Sequence, residues 1–348
     1  MVRVGIVGIG FMGMIHYLNY QNVSGATVGA LCEMNEKRLA GDWTDIKGNF
    51  GPAGEMMDLS GIATYTQLDD LLADPSIDLV DVCLPPAAHA DVVIKALESG
   101  KHVFCEKPMS LDIASTDRMT AAAAATGKLL MIGHVLPLLP EYRFAVEAAH
   151  SGKYGKLLGG HFKRVISDPQ WLPHFYDPDK VGGPMLDLHI HDAHFVRLLF
   201  GMPTALDTQG RWRGEVLEYF QTQFRFADQS LVVSATSGVI NQQGRSFLHG
   251  YELHFEDATL VFEFGVLQDE GRSMMPLTVI PRTGDNEQID LGSGDPMMSA
   301  FENELSAVAT AVETGTPSEF LTADLARDAI RICHKQNDSA RSGKRVEF

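Results

Sequence analysis

The sequence is short of cysteine, of basic residues and of long apolar runs. Its four cysteines, Cys32, Cys83, Cys105 and Cys333, form no C-x-x-C pair. Three of them sit near the ends of apolar runs that read as buried strands, so reduced core thiols are expected. No stretch approaches the roughly 18 apolar residues needed to span a bilayer, which excludes membrane insertion. Lysine and arginine number 28 against 45 acids, a formal charge of −17. Such a surface repels phosphate backbones and no basic stripe offsets it, so nucleic acid is not an expected partner. The chain enters a strand pattern at Val2 with no cationic stretch and apolar leader before it, and a cytoplasmic location is expected.

What is present is length and alternation. At 348 residues with 45% apolar side chains the chain suits two domains. In the first, short apolar runs alternate with segments of helical period, the pattern of β-α-β units on a parallel sheet. Val4–Val7 leads into Gly8-Ile9-Gly10-Phe11-Met12-Gly13 and then a helical segment. Strand, G-x-G-x-x-G and helix stand in the order of a dinucleotide site. Gly8 permits the tight turn, Gly10 lets the backbone approach a pyrophosphate, and Gly13 lets helix and strand pack closely. The diphosphate would rest on the helix N-terminus at Phe11 and Met12. A second strand, Thr27–Cys32, ends in Glu33, whose carboxylate suits a ribose diol and repels a 2′-phosphate, so NAD is favoured over NADP. Lys37 and Arg38 follow closely and are the residues that would argue for NADP.

Residues 43–62 read as a long loop. Leu79–Leu84 is the next buried strand, stopped by Pro85-Pro86, and His89 falls in the first turn of the helix that follows; Pro85 and His89 join the candidate cofactor contacts. The run Gly100-Lys-His-Val-Phe-Cys-Glu-Lys-Pro108 organises the chain: an apolar strand ends abruptly in Glu106 and Lys107. Groups at the carboxyl ends of parallel strands face the ligand crevice. Lys107 is therefore the candidate catalytic residue and a contact to both cofactor and substrate, with Glu106 structural or cofactor-facing. Ser110 is a candidate cap for an alanine-rich helix ending at Gly127, and Lys128–Ile132 reads as a last strand. The domain division is placed at 127/128.

In residues 128–348 the strands lengthen, alternate apolar with polar, and follow one another without helices between them. Segments 204–212, 216–226, 230–239, 250–256, 259–264 and 276–281 fit an open, largely antiparallel sheet, with helices at 297–313 and 322–342. One sheet face is expected to be covered and the other polar or paired with a second subunit. The chemical stretch runs from Gly182 to His194. If its helix includes Asp187, then Asp187 and His191 are i and i+4 on one face and can address one substrate hydroxyl. Three histidines and two acids here lack H-E-x-x-H spacing, and no metal site is expected. His189 and His194 are expected to pack or hydrogen-bond. Trp171 and His174, in an irregular aromatic stretch, are candidate substrate contacts; His134, Glu141 and Tyr142 are candidates of the same kind, with core or helix-surface roles favoured.

Together, Gly8-x-Gly10-x-x-Gly13, the Gly100–Pro108 run and Gly-Gly-x-x-x-Asp187-x-x-x-His191-Asp192 resemble the glucose-fructose oxidoreductase and inositol dehydrogenase family, over nearly the whole chain. The resemblance implies an N-terminal Rossmann domain and a C-terminal α+β domain whose open sheet makes homo-oligomer contacts. It implies oxidation of a sugar or polyol hydroxyl, a cis Lys107–Pro108 bond, and Lys107, Asp187 and His191 as catalytic residues. Alternative activities in such a chain are an NAD-dependent glycosidase acting by transient oxidation and a non-catalytic cofactor-binding regulator. The chain departs from the usual family pattern at Leu84-Pro85-Pro86, at His189 and at Gly133–Pro137, where an arginine is missing.

Overall fold

A computed structural model describes every residue except Trp171, Pro173 and Asp269. The chain divides into two compact units, Met1–Leu139 with Gly294–Arg327, and Pro140–Ser293 with Asp328–Phe348. The division expected after residue 127 thus falls later, because the strand at 130–133 joins the first sheet, and the first unit also takes back the segment from Gly294.

The first unit alternates strand and helix: β1 (Val2–Val7), α1 (Phe11–Tyr20), β2 (Ala26–Cys32), α2 (Glu36–Leu39), β3 (Ala63–Tyr65), α3 (Leu68–Ala73), β4 (Leu79–Val82), α4 (Pro86–Glu98), β5 (His102–Glu106), α5 (Ile113–Thr126) and β6 (Leu130–Gly133). All six strands are parallel, in the order β3-β2-β1-β4-β5-β6. Strands covered by helices on both faces need apolar residues at nearly every position. β1, β4 and β5 comply, with Val4, Ile6, Leu79, Val80, Val103 and Phe104 fully buried. The order reverses between β1 and β4, the switch point at which a doubly wound sheet opens a crevice. The cap of α5 is Asp112, whose carboxylate accepts from the Ser115 amide, and not Ser110. Gly127 closes that helix in the left-handed region, φ 66°. Residues 43–62 form the expected loop, anchored by Trp43, which is fully buried and packs edge-on against Tyr17.

The second unit opens with α6 (Pro140–Ser151) and β7 (Leu157–Ser167). A π-helical turn at Pro184–Leu188 leads into α7 (Ile190–Phe200), and β8 (Ala205–Arg213), β9 (Val216–Arg225), β10 (Val232–Ile240), β11 (Arg245–Phe255), β12 (Ala258–Leu267), β13 (Glu270–Pro281) and β14 (Glu287–Gln288) follow. Then come α8 (Pro296–Thr314) in the first unit, α9 (Ala323–Ser342), within which the units divide, and β15 (Val346–Glu347). The nine-stranded sheet runs β14-β13-β12-β11-β7-β10-β9-β8-β15 and is antiparallel except where β7 meets β10. Along β11, Tyr251, Leu253 and Phe255 are buried while Glu252 and His254 are exposed. The buried face packs on α6 and α7 through the aromatic contacts of Tyr142 with Tyr251 and of Phe162 with Phe195. Tyr142 is therefore a core residue, its hydroxyl 2.9 Å from Nδ1 of the buried His249. No helix among the described residues is long and apolar enough to cross a membrane, and all four cysteines are unpaired.

Candidate active site

The glycine-rich turn leaves β1 at the switch point. Gly8 has φ 94°, and a Cβ there would lie 2.8 Å from the Cys83 carbonyl oxygen. A Cβ on Gly13 would collide with the Gly8 carbonyl oxygen, whereas one on Gly10 would meet nothing. The turn is thus closed behind Gly8 and Gly13 and open at Gly10. The α1 N-terminus carries no side-chain cap, so its first amides and the positive end of its dipole are available to an anion. Phe11 and Met12 begin that helix, half-buried, with the Phe11 ring edge-on to Phe50. This is the cradle a dinucleotide diphosphate requires, and the residues present fit NAD.

Glu33 follows β2 and stands beside the turn. Its carboxylate accepts from the Ile9 amide at 2.8 Å and from the Asn35 amide at 2.9 Å. Two backbone donors fix it and leave lone pairs for a diol. Arg38 is held by the Ile9 carbonyl and by Asp45, each at 2.8 Å.

Glu106 and Lys107 end β5 at the same carboxyl edge of the sheet. The Lys107–Pro108 bond is cis, as the family resemblance implied. The Lys107 amide donates to Glu106 Oε2 at 3.0 Å, and the lysine is half-buried. Pro85, exposed, precedes α4 at that edge. Two expected cofactor contacts are placed differently. His89 has no exposed surface; its Nδ1 lies 2.9 Å from the Pro108 carbonyl oxygen and its Nε2 2.7 Å from that of Leu84. Burial lowers its pKa against the pull of those carbonyls, and a neutral ring donates to one of them at a time. It ties the start of α4 to the lysine loop and offers a ligand no surface. Glu106 is 6% exposed and turns Oε1 inward, 3.2 Å from His16 Nε2.

In the second unit the π-helical turn and α7 form one helical stretch. Its neighbours Leu186, Leu188, His189, Ile190, Asp192, Ala193 and His194 are buried, and Asp187 and His191 are half-exposed. Both keep accessible surface where their neighbours lose it, and a π turn often marks a functional position. The helix is secured from beneath. Arg164 on β7 donates to Asp192 through Nε at 2.8 Å and Nη2 at 3.1 Å, with both side chains buried. Gln336 on α9 donates to His189 Nε2 at 2.9 Å. Burial lowers the His189 pKa to about 4, so the ring is neutral and structural. His194 is buried too.

His174 is exposed, with φ 66° and its ring beside the Lys180 ammonium. Trp171 lies outside the described residues. Its stretch is anchored by Phe175, buried, and by Tyr176, which donates to Asp168 at 2.7 Å under the Arg213 guanidinium. A surface cavity of about 440 Å³ opens beside Arg3, Thr27 and Val28, at the amino ends of β1 and β2, on the sheet edge opposite the glycine turn.

A model of the "Oxidoreductase family, NAD-binding Rossmann fold" matches residues 2–134, and one of the "GFO/IDH/MocA C-terminal domain" matches residues 142–261. The chain belongs to the Gfo/Idh/MocA oxidoreductase family. Among curated Gfo/Idh/MocA relatives, a myo-inositol 2-dehydrogenase of Thermotoga maritima is 32% identical over 202 residues, 58% of this chain and 55% of that one. The NAD(+)-dependent scyllo-inositol 2-dehydrogenase of Bacillus subtilis is 28% identical over 261 residues, 73% of this chain and 70% of that one. The match thus spans about half the length of the first relative. The fold of a levoglucosan dehydrogenase in complex with NADH and levoglucosan superposes with a TM-score of 0.80 at 20% identity, covering 99% of each chain. Sequence reasoning missed the inward group of this Gfo/Idh/MocA chain, His16, Asp81 and Glu304. A visible signal was there, an aspartate in the middle of the apolar strand Leu79–Val82.

Proposed function

We propose that this family member is an NAD-dependent dehydrogenase that moves hydride between the hydroxyl-bearing carbon of a sugar or polyol, inositol-like, and nicotinamide. The observation that carries the reading is a lysine at the carboxyl edge of the same sheet that carries the dinucleotide turn, with only β4 between their strands. The names of the inositol dehydrogenase relatives support the substrate class.

When bound, the nicotinamide accepts a hydride, two electrons with the hydrogen nucleus. The chain's residues do the rest. His191 takes the hydroxyl proton as general base while the carbon–hydrogen bond breaks and the carbonyl forms. The Lys107 ammonium hydrogen-bonds the same oxygen and stabilises developing alkoxide charge. Asp187, on the His191 face, accepts from a substrate hydroxyl and sets its orientation. Glu33 supports NAD over NADP by its charge and by its fixed place at the turn, and Asp45 and the Ile9 carbonyl hold the Arg38 guanidinium that would otherwise serve a 2′-phosphate.

The test is nicotinamide absorbance across a panel of inositols, other polyols and aldoses with NAD and with NADP. Turnover is expected with one or more polyols or aldoses and with a higher kcat/KM for NAD. No turnover across the panel, in protein shown by calorimetry to bind NAD, would contradict the reading.

A further inference from the structure

The interior of the first unit holds a group of side chains that the oxidoreductase reading does not use. His16 on α1, Asp81 on β4 and Glu304 on α8 have no exposed surface, and Glu106 is 6% exposed. His16 Nδ1 lies 2.9 Å from Asp81 Oδ2, and its Nε2 lies 3.2 Å from Glu106 Oε1. Neither oxygen of Glu304 has a hydrogen-bond partner. Yet a Glu304 oxygen, a Glu106 oxygen and a nitrogen of His16 all lie within 4.8 Å of one another.

A fully buried carboxylate with no donor is costly, and a carboxylate carries only acceptors when ionised. A proton shared with Glu106 would relieve it through a short O–H···O contact of about 2.5–2.7 Å, but neither Glu304 oxygen has a partner at hydrogen-bond distance. Separations under 4.8 Å, with His16 Nε2 3.2 Å from Glu106 Oε1, admit atoms arranged around a centre. Ligands about 2.0–2.2 Å from an ion stand roughly 3 to 4.4 Å from one another. His16 is also set as metal-bound histidines are, one ring nitrogen donating to a carboxylate and the other turned to the ligand group.

We propose that His16 Nε2, Glu106 and Glu304 hold a first-row divalent cation, Zn²⁺ or Mn²⁺, which pins α8 to α1 and to the end of β5. One imidazole and two carboxylates suit these ions and not a soft monovalent one. Asp81 orients the imidazole. Cys83, with Sγ 3.3 Å from His16 Nδ1, stands by the other ring nitrogen and is no part of the set. The proposal does not rest on the dehydrogenase reading, since its readouts are metal content and melting temperature.

The experiment uses the full chain without a polyhistidine tag. Metal is measured by mass spectrometry after purification, and chelator-stripped protein is titrated with Zn²⁺ and with Mn²⁺ by calorimetry and by thermal melting. One ion per chain is expected, with a rise in Tm when the stripped protein is reloaded. Glu304→Gln should bind at least about 100-fold more weakly and lose the Tm response, Asp81→Asn about 10- to 100-fold more weakly, and Cys83→Ser like the parent. Stripped parent protein that binds neither ion overturns the proposal. So does Glu304→Gln binding like the parent, which would place the ion elsewhere, for instance on the histidines of 189–194. If Glu304→Gln does not fold, Asp81→Asn decides, and parental affinity there overturns the proposal.

Discussion

Of the three side chains that carry the chemistry proposed here, Lys107 and His191 are each tested alone. Removing a positioned acid–base or charge-stabilising group costs about 10²- to 10⁴-fold in rate. Lys107→Ala and His191→Ala should each lose that much kcat while NAD affinity by calorimetry stays within a few-fold; near-parental turnover in either removes that residue from the mechanism. Glu33 acts on selectivity. Glu33→Ala removes the charge that repels a 2′-phosphate, and the ratio of kcat/KM for NADP over NAD should rise at least about tenfold, one such interaction being worth about 1.4 kcal/mol. An unchanged ratio would count against Glu33 as the discriminating residue. His189 acts on stability. Its folded pKa of about 4 lies below the unfolded value near 6.5, so below about pH 6.5 the unfolded chain binds more protons. Stability should therefore be level above that pH and fall as pH drops toward 4, by up to about 1.4 kcal/mol per pH unit from this ring. Burial lowers His249 in the same direction. Urea midpoints at pH 7 and pH 5 should differ less in His189→Gln than in the parent; an equal difference would show that this ring does not titrate as described.

At the scale of elements, the presentation of Asp187 and His191 depends on a helix that is anchored from below. The buried Arg164–Asp192 pair joins β7 to α7, and breaking such a pair leaves an uncompensated charge at a cost of about 3–5 kcal/mol. Asp192→Asn should lower Tm by on the order of 10 °C and reduce kcat together with it, although residue 192 is buried. A parental Tm would mean the pair contributes nothing. Elements of this kind were unevenly legible. The glycine turn, the strand ending in Glu106-Lys107 and the Gly127 helix stop were readable because each is set by residues within a few positions of one another. β7 was not foreseen. It lies inside the sheet between β11 and β10, and Gly159-Gly160 remove the side chains whose alternation would announce it. Of His16, Asp81 and Glu304 only Asp81 showed in the sequence, as an acid inside an apolar strand; the three belong to elements far apart in sequence, and only the fold puts them together. The inward turn of His89 and Glu106 follows from the same limit, since sequence places a residue at a sheet edge without saying which way it faces.

At the scale of the molecule, the outer face of the second sheet bears on assembly. Register places Val232, His254, Thr259 and Ile280 in one row across the strands, with Val232 67% and Ile280 39% exposed. This mixed row on the outer sheet face is a candidate contact with a second copy, the role the family resemblance implies for it. A homo-oligomer is expected by light scattering, and Val232→Lys should shift it toward monomer; a monomeric parent would leave the face without this role. The central claim, that this chain oxidises a polyol or sugar carbon by direct hydride transfer, is tested most directly with isotope. A substrate from the panel, deuterated at its hydroxyl-bearing carbons, is incubated with enzyme and NAD, and the nucleotide product is weighed. NADH heavier by about one mass unit, formed by the parent and almost absent with Lys107→Ala, is the predicted result. Unlabelled NADH, or unchanged NAD with a released sugar, would contradict it.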